Sequence, residues 1–289
     1  MSSDPFVAHR NLLFTVAYEI LGSAADAEDV LQETWMRWDR IERTEVNDPR
    51  SYLVRAVTRQ ALNRLRTQAR RREDYVGAWL PEPLLTSPDI ATDIELAESV
   101  SVAMLAVLET LHPVERAVFV LREVFATPYD EIAKATSKSP AAVRQIAHRA
   151  REHVTARRPR RSVTREEHEE VVEQFLEAIR RGDVQALLDV LAPDVVVVAD
   201  GGGVVPAARR PIRGAERVAR SLAKGLRAAQ IEATPRWING SIGAVIHHGG
   251  ELVGAVSFCV TDGRISRVYA ISNPHKLAGL DTTAHLTRS

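Results

Sequence analysis

The sequence predicts a multidomain protein in which two all-α domains, the second a helix-turn-helix, precede an α+β domain. Its 289 residues are enough for two or three domains. Apolar residues recur at helical spacing through residues 5–72 and again through residues 113–151. The last third instead contains a β-branched segment and three dipeptides typical of tight hairpins. These dipeptides are Asn239–Gly240, Gly249–Gly250 and Asp262–Gly263.

Composition restricts the classes of protein to consider. The formal net charge is zero, so any strongly charged surface is local and offset elsewhere. The single cysteine, Cys259, excludes an internal disulfide and a cysteine-rich zinc site, and we predict no cofactor. No segment resembles a signal peptide or is apolar enough to span a membrane, so we expect a cytoplasmic protein without membrane contact.

The first domain, residues 1–72, is predicted to hold three helices. The second of them has an acidic side, which is either a solvated helix face or a docking surface for a basic partner. The residues singled out on this helix are Asp26, Asp29, Gln32, Glu33 and Trp35.

The third helix begins at Asp48–Pro49 and is basic instead of acidic. The outward residues we select as nucleic-acid contacts are Arg55, Arg59, Asn63 and Arg66. One small domain with both an acidic and a basic helix suggests two different partners.

Residues 73–99 read as a linker, because they are acidic throughout and three prolines prevent a long helix. The linker contains an apolar segment that a free chain would rarely expose. It consists of Trp79, Leu80, Pro81, Glu82 and Pro83. Packing of this segment on its neighbours is the simplest explanation.

The second domain, residues 100–156, contains a helix-turn-helix between Pro113 and Arg151. Ala133 suits the close helix crossing, Ser137 the turn and Val143 the buried anchor. Glycine would suit the turn better than Ser137, because a residue there can require a positive φ. The last helix begins with Ser139 as its cap. The candidate base and phosphate contacts are Ser139, Arg144, Gln145, His148, Arg149 and Arg151.

Local charge favours DNA over the alternative, which is a helical hairpin with a solvated basic face. Residues 136–161 hold eight lysines and arginines against one acidic residue, and such a stripe suits phosphates.

A basic hinge, residues 157–164, leads into the third domain, residues 165–289. Amphipathic helices are predicted from Glu166 to Arg181, Val184 to Leu191 and Gly214 to Ala229, with a strand at Val195–Ala199. The three hairpin signals then connect four strands, which makes this domain α+β.

The helical part resembles the extracytoplasmic-function sigma factors of bacterial RNA polymerase. The resemblance rests on DAEDVLQETW, the basic third helix, the acidic linker and the helix-turn-helix, and covers about the first 155 residues. It implies that the acidic helix binds the clamp helices of core polymerase. The basic helix would then bind the −10 promoter element, and the helix beginning at Ser139 the −35 element.

The third domain resembles the SnoaL-like fold, a cone with a pocket at its open end. WLPEP, DGGG and NPHKL are similar to the signature elements of sigma factors with a fused SnoaL-like extension. That resemblance implies regulation in cis, without a separate anti-sigma factor, and we expect a monomer when the protein is free. The implied regulatory residues are Trp79–Pro83 together with Asp200, Gly201, Gly202, Gly203, Asn273, Pro274, Lys276 and Leu277.

Two other readings remain open. The chain could be a helix-turn-helix regulator with a small-ligand-binding C-terminal domain, although a stand-alone regulator would not need the acidic helix. The pocket could also be catalytic, with candidates Asp200, His247, His248 and Tyr269. Nothing in their spacing identifies an acid/base pair, and Asp200–Gly203 lacks the motif of a phosphate-binding loop and reads as a flexible turn. We therefore predict a non-enzyme.

Overall fold

The computed structural model describes residues 4–42, 46–73, 75–158, 163–228 and 231–288. The chain begins with three helices, α1 (Pro5–Leu21), α2 (Ala24–Trp38) and α3 (Pro49–Glu73). Ser23 caps α2, because its side chain accepts a hydrogen bond from the Asp26 amide. Apolar residues of all three helices meet in one buried cluster, as their helical spacing predicts.

The predicted linker has more regular structure than expected. It contains a two-residue strand, β1 (Leu85–Thr86), a 3-10 turn at Pro88–Thr92 and a short helix, α4 (Ile94–Ser99). The prolines do prevent a long helix, but the segment is packed against both of its neighbouring domains and is not a free connection.

Four further helices form the second domain: α5 (Val102–Leu108), α6 (Pro113–Phe119), α7 (Tyr129–Thr136) and α8 (Pro140–Arg157). Helix α6 continues into one π-helical stretch, Val120–Val124. The predicted turn geometry is present, because Ser137 adopts a left-handed conformation with φ of 56°. Ser139 caps α8 through a hydrogen bond from the Ala142 amide.

The third domain combines helices with a single sheet. Its helices are α9 (Arg165–Arg181), α10 (Val184–Val190), α11 (Ala215–Ala228) and α12 (Pro274–Leu277). Its strands are β2 (Leu191–Asp200), β3 (Ile212–Arg213), β4 (Ile231–Ile238), β5 (Ser241–His248), β6 (Glu251–Thr261), β7 (Arg264–Ile271) and β8 (Thr283–Ala284). Part of the proposed hinge, residues 159–162, lies outside the described residues.

The strand order is β3-β2-β7-β6-β5-β4-β1-β8. Strands β4 to β7 form the antiparallel meander that the three turn dipeptides predict. Strand β2 pairs in parallel with β7. At the other edge, the linker strand β1 pairs antiparallel with β4, and β8 from the C-terminal tail pairs in parallel with β1.

Three apolar clusters hold the chain together. The first is continuous through α1–α3 and the helix-turn-helix, and Leu286 of the tail belongs to it. The second lies between one face of the sheet and helices α9, α10 and α11. The third lies on the opposite face, where strand residues meet Leu80 of the linker, Val102 of α5 and Leu277 of α12. The sheet therefore separates helices α9, α10 and α11 from the linker and the second domain.

Candidate nucleic-acid and interdomain interfaces

The outer face of α8 is a solvent-exposed row of polar and basic side chains. Every residue selected on it from the sequence is exposed: Ser139, Arg144, Gln145, His148, Arg149 and Arg151. The helical spacing predicts four inward residues on α8, of which Val143, Ala147 and Ala150 are buried and Ile146 is half-buried. Two arginines have intramolecular carboxylate neighbours, because Arg151 lies 2.7 Å from Glu123 and Arg149 lies 3.8 Å from Glu115. Exposed pairs of this kind are weak, so they can be exchanged for phosphates at little cost.

The basic face of α3 is turned partly toward the helix-turn-helix. The Arg59 guanidinium donates to the carbonyl oxygen of Lys134 in α7 over 2.7 Å. Arg55 lies over the ring of Tyr52, and Arg66 donates to the Asn63 side chain. The helix proposed for the −10 element is thus in direct contact with the helix-turn-helix.

The acidic side of α2 contacts α3, its neighbour in the bundle. Arg64 lies 2.7 Å from Asp26 and 2.5 Å from Asp29, and Gln60 donates to Glu33. The acidic helix is therefore partly neutralised by the basic helix beside it.

This pairing leaves part of the acidic side accessible. Gln32 is exposed, and the Asp29 side chain keeps 54% of its surface accessible. Trp35 is half-buried against Phe6, with ring centroids 5.1 Å apart.

Asp200 is the centre of a buried polar cluster that joins linker, sheet and tail. Only 1% of Asp200 is exposed. Its carboxylate accepts from the Leu80 amide at 2.9 Å, from the Lys276 ammonium at 2.8 Å and from the Tyr75 hydroxyl. Its backbone carbonyl accepts from the amides of the two residues that follow β7. The sequence predicts a flexible turn here, but Asp200 is held in place by these hydrogen bonds.

Lys276 completes the cluster from the tail. Its ammonium also donates to the Leu80 carbonyl, and it lies 3.4 Å from the centroid of the Trp79 ring. Burial lowers the pKa of Lys276, while the Asp200 charge acts in the opposite direction. A buried cation held by one carboxylate and by the rings of Trp79 and Tyr75 fixes the position of the linker relative to the tail.

The glycine loop that follows Asp200 fits closely against Asn273. Gly202 has a φ of 63°, and a Cβ there would lie 2.4 Å from the Asn273 side-chain nitrogen. That nitrogen donates to the Tyr75 hydroxyl at 2.9 Å. Only glycine meets both requirements at this position, the left-handed backbone and the close contact. Gly201 and Gly203 belong to the same loop, Pro274 is exposed at the first position of α12, and Leu277 is buried beneath it.

Glu82 binds the linker to the first domain. Its carboxylate accepts hydrogen bonds at the start of α2, from the Ala24 amide at 2.6 Å and from the Ser23 hydroxyl at 2.8 Å. A carboxylate at a helix N-terminus is favoured by the helix dipole. Burial is the main effect on the Glu82 pKa and raises it, although these hydrogen bonds oppose the shift. Its neighbours Pro81 and Pro83 are buried.

The sequence analysis treated Asn239 only as a turn residue, and the structure gives it a second role. Asn239 is fully buried at the β4–β5 turn. Its side-chain oxygen accepts from the Leu84 amide at 2.9 Å, and its nitrogen donates to the Tyr18 hydroxyl and the Val100 carbonyl, both at 2.7 Å. One side chain therefore connects the sheet to the first domain, to the linker and to the start of the second domain. The only signal in the sequence, the Asn–Gly pair, is fully explained by the turn.

Glu19 and Arg116 form another interdomain contact that the sequence analysis missed. Glu19 is fully buried in α1 and accepts from the Ser99 hydroxyl at 2.8 Å. Arg116 of α6 donates to the Glu19 carbonyl at 3.0 Å and is also bonded to Glu109. Burial raises the pKa of Glu19 to about 8, against the opposing effects of Ser99 and Arg116.

The third domain encloses an apolar cavity of about 1120 Å³ between α9 and the sheet. None of the four catalytic candidates lines it, since Asp200 faces the linker and Tyr269 belongs to the cluster on the opposite face. Half-buried His247 and exposed His248 are also absent from its walls. These four residues therefore form no acid/base pair in the cavity.

In the described ranges, no group of three or more His, Cys, Asp or Glu side chains is placed to hold a metal ion. No helix in the same ranges is long and apolar enough to cross a bilayer.

Comparison with known proteins matches both helical domains to one protein family. The sigma-70 region 2 family matches residues 6–71, and the sigma-70 region 4 family matches residues 101–154. The extracytoplasmic-function sigma factor SigJ of Mycobacterium tuberculosis is 38% identical over 96% of this chain and 94% of its own length. The probable sigma factor SigI of the same species is 31% identical over 93% of this chain and 92% of its own length.

The same relationship holds in three dimensions. The crystal structure of M. tuberculosis SigJ matches with a TM-score of 0.77 and 35% identity, over 95% of this chain and 98% of that one. The fold and the surfaces together define a class of protein, namely a helical DNA-binding protein of two domains with an α+β extension. Within that class, the chain belongs to the extracytoplasmic-function sigma factors with a fused SnoaL-like domain.

Proposed function

We propose that this chain directs promoter-specific initiation by RNA polymerase, and that its SnoaL-like domain regulates it in cis by stabilising a closed arrangement of the two sigma domains. In this proposal the exposed part of α2 contacts the polymerase clamp helices, α3 contacts the −10 element and α8 contacts the −35 element. The domain boundaries are those given above: residues 1–72, 73–99, 100–156, 157–164 and 165–289. The protein acts in the cytoplasm as a monomer when free, performs no catalysis and needs no separate anti-sigma factor.

The contact between α3 and the helix-turn-helix is the observation that carries this proposal. The two DNA-binding helices are joined by the Arg59–Lys134 hydrogen bond and share one apolar cluster. Two promoter elements named for positions 25 base pairs apart are separated by about 85 Å of B-form DNA, at 34–36 Å per helical turn. A compact chain of this length has a radius of gyration of only about 19 Å. The closed arrangement cannot contact both elements, so the sigma domains must separate before initiation.

The linker explains how the SnoaL-like domain acts on this equilibrium. Glu82 binds it to α2, while Leu80 is bonded to Asp200 and Leu84 to Asn239. When the sigma domains separate, each of these contacts must either break or move together with one of the domains. The SnoaL-like domain thus adds to the free-energy cost of opening, as a ligand does when it binds one of two conformations better.

Reconstituted transcription tests the proposal. The full chain, a chain that ends near Arg161 and core RNA polymerase are combined on a promoter library, and transcripts are sequenced. We expect core-dependent transcripts from a shared promoter motif, with different amounts from the two chains. Absence of core-dependent transcription from both chains would refute the sigma assignment, and equal activity would refute regulation in cis.

Substitutions on α8 test how the helix reads DNA. Arg144→Ala or Arg149→Ala should weaken promoter use by about 1–3 kcal/mol, if either makes a bidentate base contact. Arg220→Ala, which changes an exposed arginine of α11 away from the cavity, is the matched control and should leave promoter use unchanged. Equal losses in all three variants would indicate a general charge effect and not base recognition.

A further inference from the structure

The cavity of the third domain is too large and too apolar to be a packing defect. Its volume of about 1120 Å³ lies at the upper end of the usual range of small-molecule sites. The deep wall is formed by aliphatic and aromatic side chains such as Phe175, Ile246, Val256 and Phe258. Protein interiors are normally close-packed, so a space of this size needs an occupant or a cost in stability.

The charged side chains at the rim of the cavity restrict the kinds of molecule that can bind there. Three exposed or half-exposed carboxylates lie there, on Glu173, Glu177 and Glu232. The rim also contains Arg180, which is paired with Glu177, and Arg181 pairs with the same carboxylate, so Glu173 and Glu232 supply the excess of negative charge. The excess of negative charge repels an anionic head group of a bound molecule, whereas a neutral or cationic head group can be accommodated. A fatty acid is therefore a poorer match than an uncharged molecule with the same apolar body.

The far side of the cavity wall is the regulatory interface. Val256 and Phe258 of β6 line the cavity and belong to the cluster on its side of the sheet, whereas Ala255, which also borders the cavity, belongs to the cluster that packs against Leu80 and Val102. This alternation follows from the two-residue period of a strand.

A direct connection also exists at the end of β7. Ser272 lines the cavity, and its amide donates to the Asp200 carbonyl at 2.8 Å. One strand layer thus separates an occupant of the cavity from the docked linker.

We propose that this cavity binds an uncharged, largely apolar small molecule, and that its occupancy changes how firmly the linker is docked on the opposite face of the sheet. The regulatory consequence rests on the proposed sigma function, but binding and linker docking are properties of the chain alone. Both are therefore tested without polymerase or DNA, so failure of the sigma assignment would not affect the result.

The binding test uses the neutral dye Nile red on the full chain. Its fluorescence should rise on binding, and 1-dodecanol should displace it at least tenfold more effectively than dodecanoate of equal chain length. Ala270→Phe and Ala233→Phe place a ring in the cavity from two different strands and should abolish binding. Val184→Phe, on the exposed part of α10, is the control and should bind normally. Thermal unfolding identifies any variant that has lost its fold.

The docking test measures amide hydrogen exchange with and without 1-dodecanol. We expect altered exchange at Leu80 and Leu84, whose amides donate to Asp200 and Asn239, and unchanged exchange in α8. The effect should be absent from Ala270→Phe. Equal displacement by dodecanoate, or binding that survives both folded cavity variants, would overturn the site. Unchanged exchange at both amides with 1-dodecanol bound would overturn the transmission.

Discussion

Asp200 and Lys276 form a buried ion pair at the point where linker, sheet and tail meet. Their side chains are almost fully buried and 2.8 Å apart. Removing one partner leaves the other charge buried without compensation, which typically costs about 3–5 kcal/mol. We therefore expect Asp200→Asn and Lys276→Met each to lower the free energy of unfolding by that amount, measured by urea denaturation.

The double variant is the control for this prediction. Asp200→Asn with Lys276→Met removes both charges, so its cost should be clearly smaller than the sum of the single costs. Additive costs would mean that the two groups are independent and that the pair does not hold the linker.

Glu19 should make stability depend on pH in a defined direction. Its pKa is raised from 4.5 to about 8 in the folded protein, so between these values the folded state binds one proton more than the unfolded state. Stability from this group is therefore complete at low pH and falls as pH rises, by about 1 kcal/mol per unit. Urea midpoints at pH 5.5 and 7.5 should differ less in Glu19→Gln than in the native chain. An equal pH dependence of the two proteins would contradict the assignment.

The residues that the sequence predicted well are those whose role is local. Outward residues on α8 follow from helical period, and the φ of Ser137 follows from the turn that the motif requires. Asn239 and Glu19 were missed because their partners are distant in sequence. The Asn239 side chain bonds Tyr18, 221 positions away, and Arg116 reaches Glu19 across 97 positions. No periodicity encodes such pairs.

Sheet elements show the same division between local and distant information. The meander β4–β7 was predictable because each hairpin has its own turn dipeptide. Strand β1 was not, because two residues are too few for an alternating pattern and its partners β4 and β8 lie far along the chain. Short edge strands depend on the surface they pair with, and that surface exists only after folding.

The loop of residues 200–203 provides a matched test at the scale of elements. Gly202→Ala would place a methyl group against Asn273 at a φ of 63°. Gly263→Ala introduces similar backbone strain at a φ of 69°, but nothing lies within 4 Å. We expect about 1 kcal/mol for Gly263→Ala, the cost of a left-handed backbone alone, and clearly more for Gly202→Ala. Limited proteolysis at residues 75–80 should accelerate only in Gly202→Ala. Equal behaviour of the two would argue against a loop–tail lock.

At the scale of the whole molecule, the closed arrangement is stabilised by segments from both ends of the chain. Leu286 is buried in the cluster shared by the sigma domains, and the Thr287 amide donates to the Thr15 hydroxyl at 3.0 Å. Arg288 lies 2.6 Å from Asp93 of the linker. The tail therefore contacts the first domain and the linker directly, in addition to its role beside Asp200. The resemblance stated above implied a lock only at residues 273–277.

Opening of this arrangement can be followed by energy transfer between two dyes on introduced cysteines. Val7→Cys in α1 and Ala156→Cys near the end of α8 are exposed sites. Burial raises the pKa of the native Cys259 thiol to about 11, so it should react slowly with the dye. We expect transfer efficiency to be high in the free protein and to fall when core polymerase and promoter DNA are both added. Efficiency that stays high in a transcriptionally active complex would refute the closed arrangement as the inactive state.

Removal of residues 283–289 should make this opening easier without touching the Asp200 cluster. The truncation deletes β8, the buried Leu286 and the polar contacts of Thr287 with Thr15 and of Arg288 with Asp93 and Glu95. Burial of one leucine side chain alone contributes about 1.5–3 kcal/mol. A tenfold change in an equilibrium corresponds to about 1.4 kcal/mol. The core polymerase concentration for half-maximal opening should therefore fall about tenfold or more, measured by the same energy transfer. The matched control is Arg288→Ala, which removes only the two half-exposed ion pairs with Asp93 and Glu95 and should shift that concentration less than threefold. An unchanged concentration in the truncated chain would mean that the tail end packs on the sigma domains without opposing their separation.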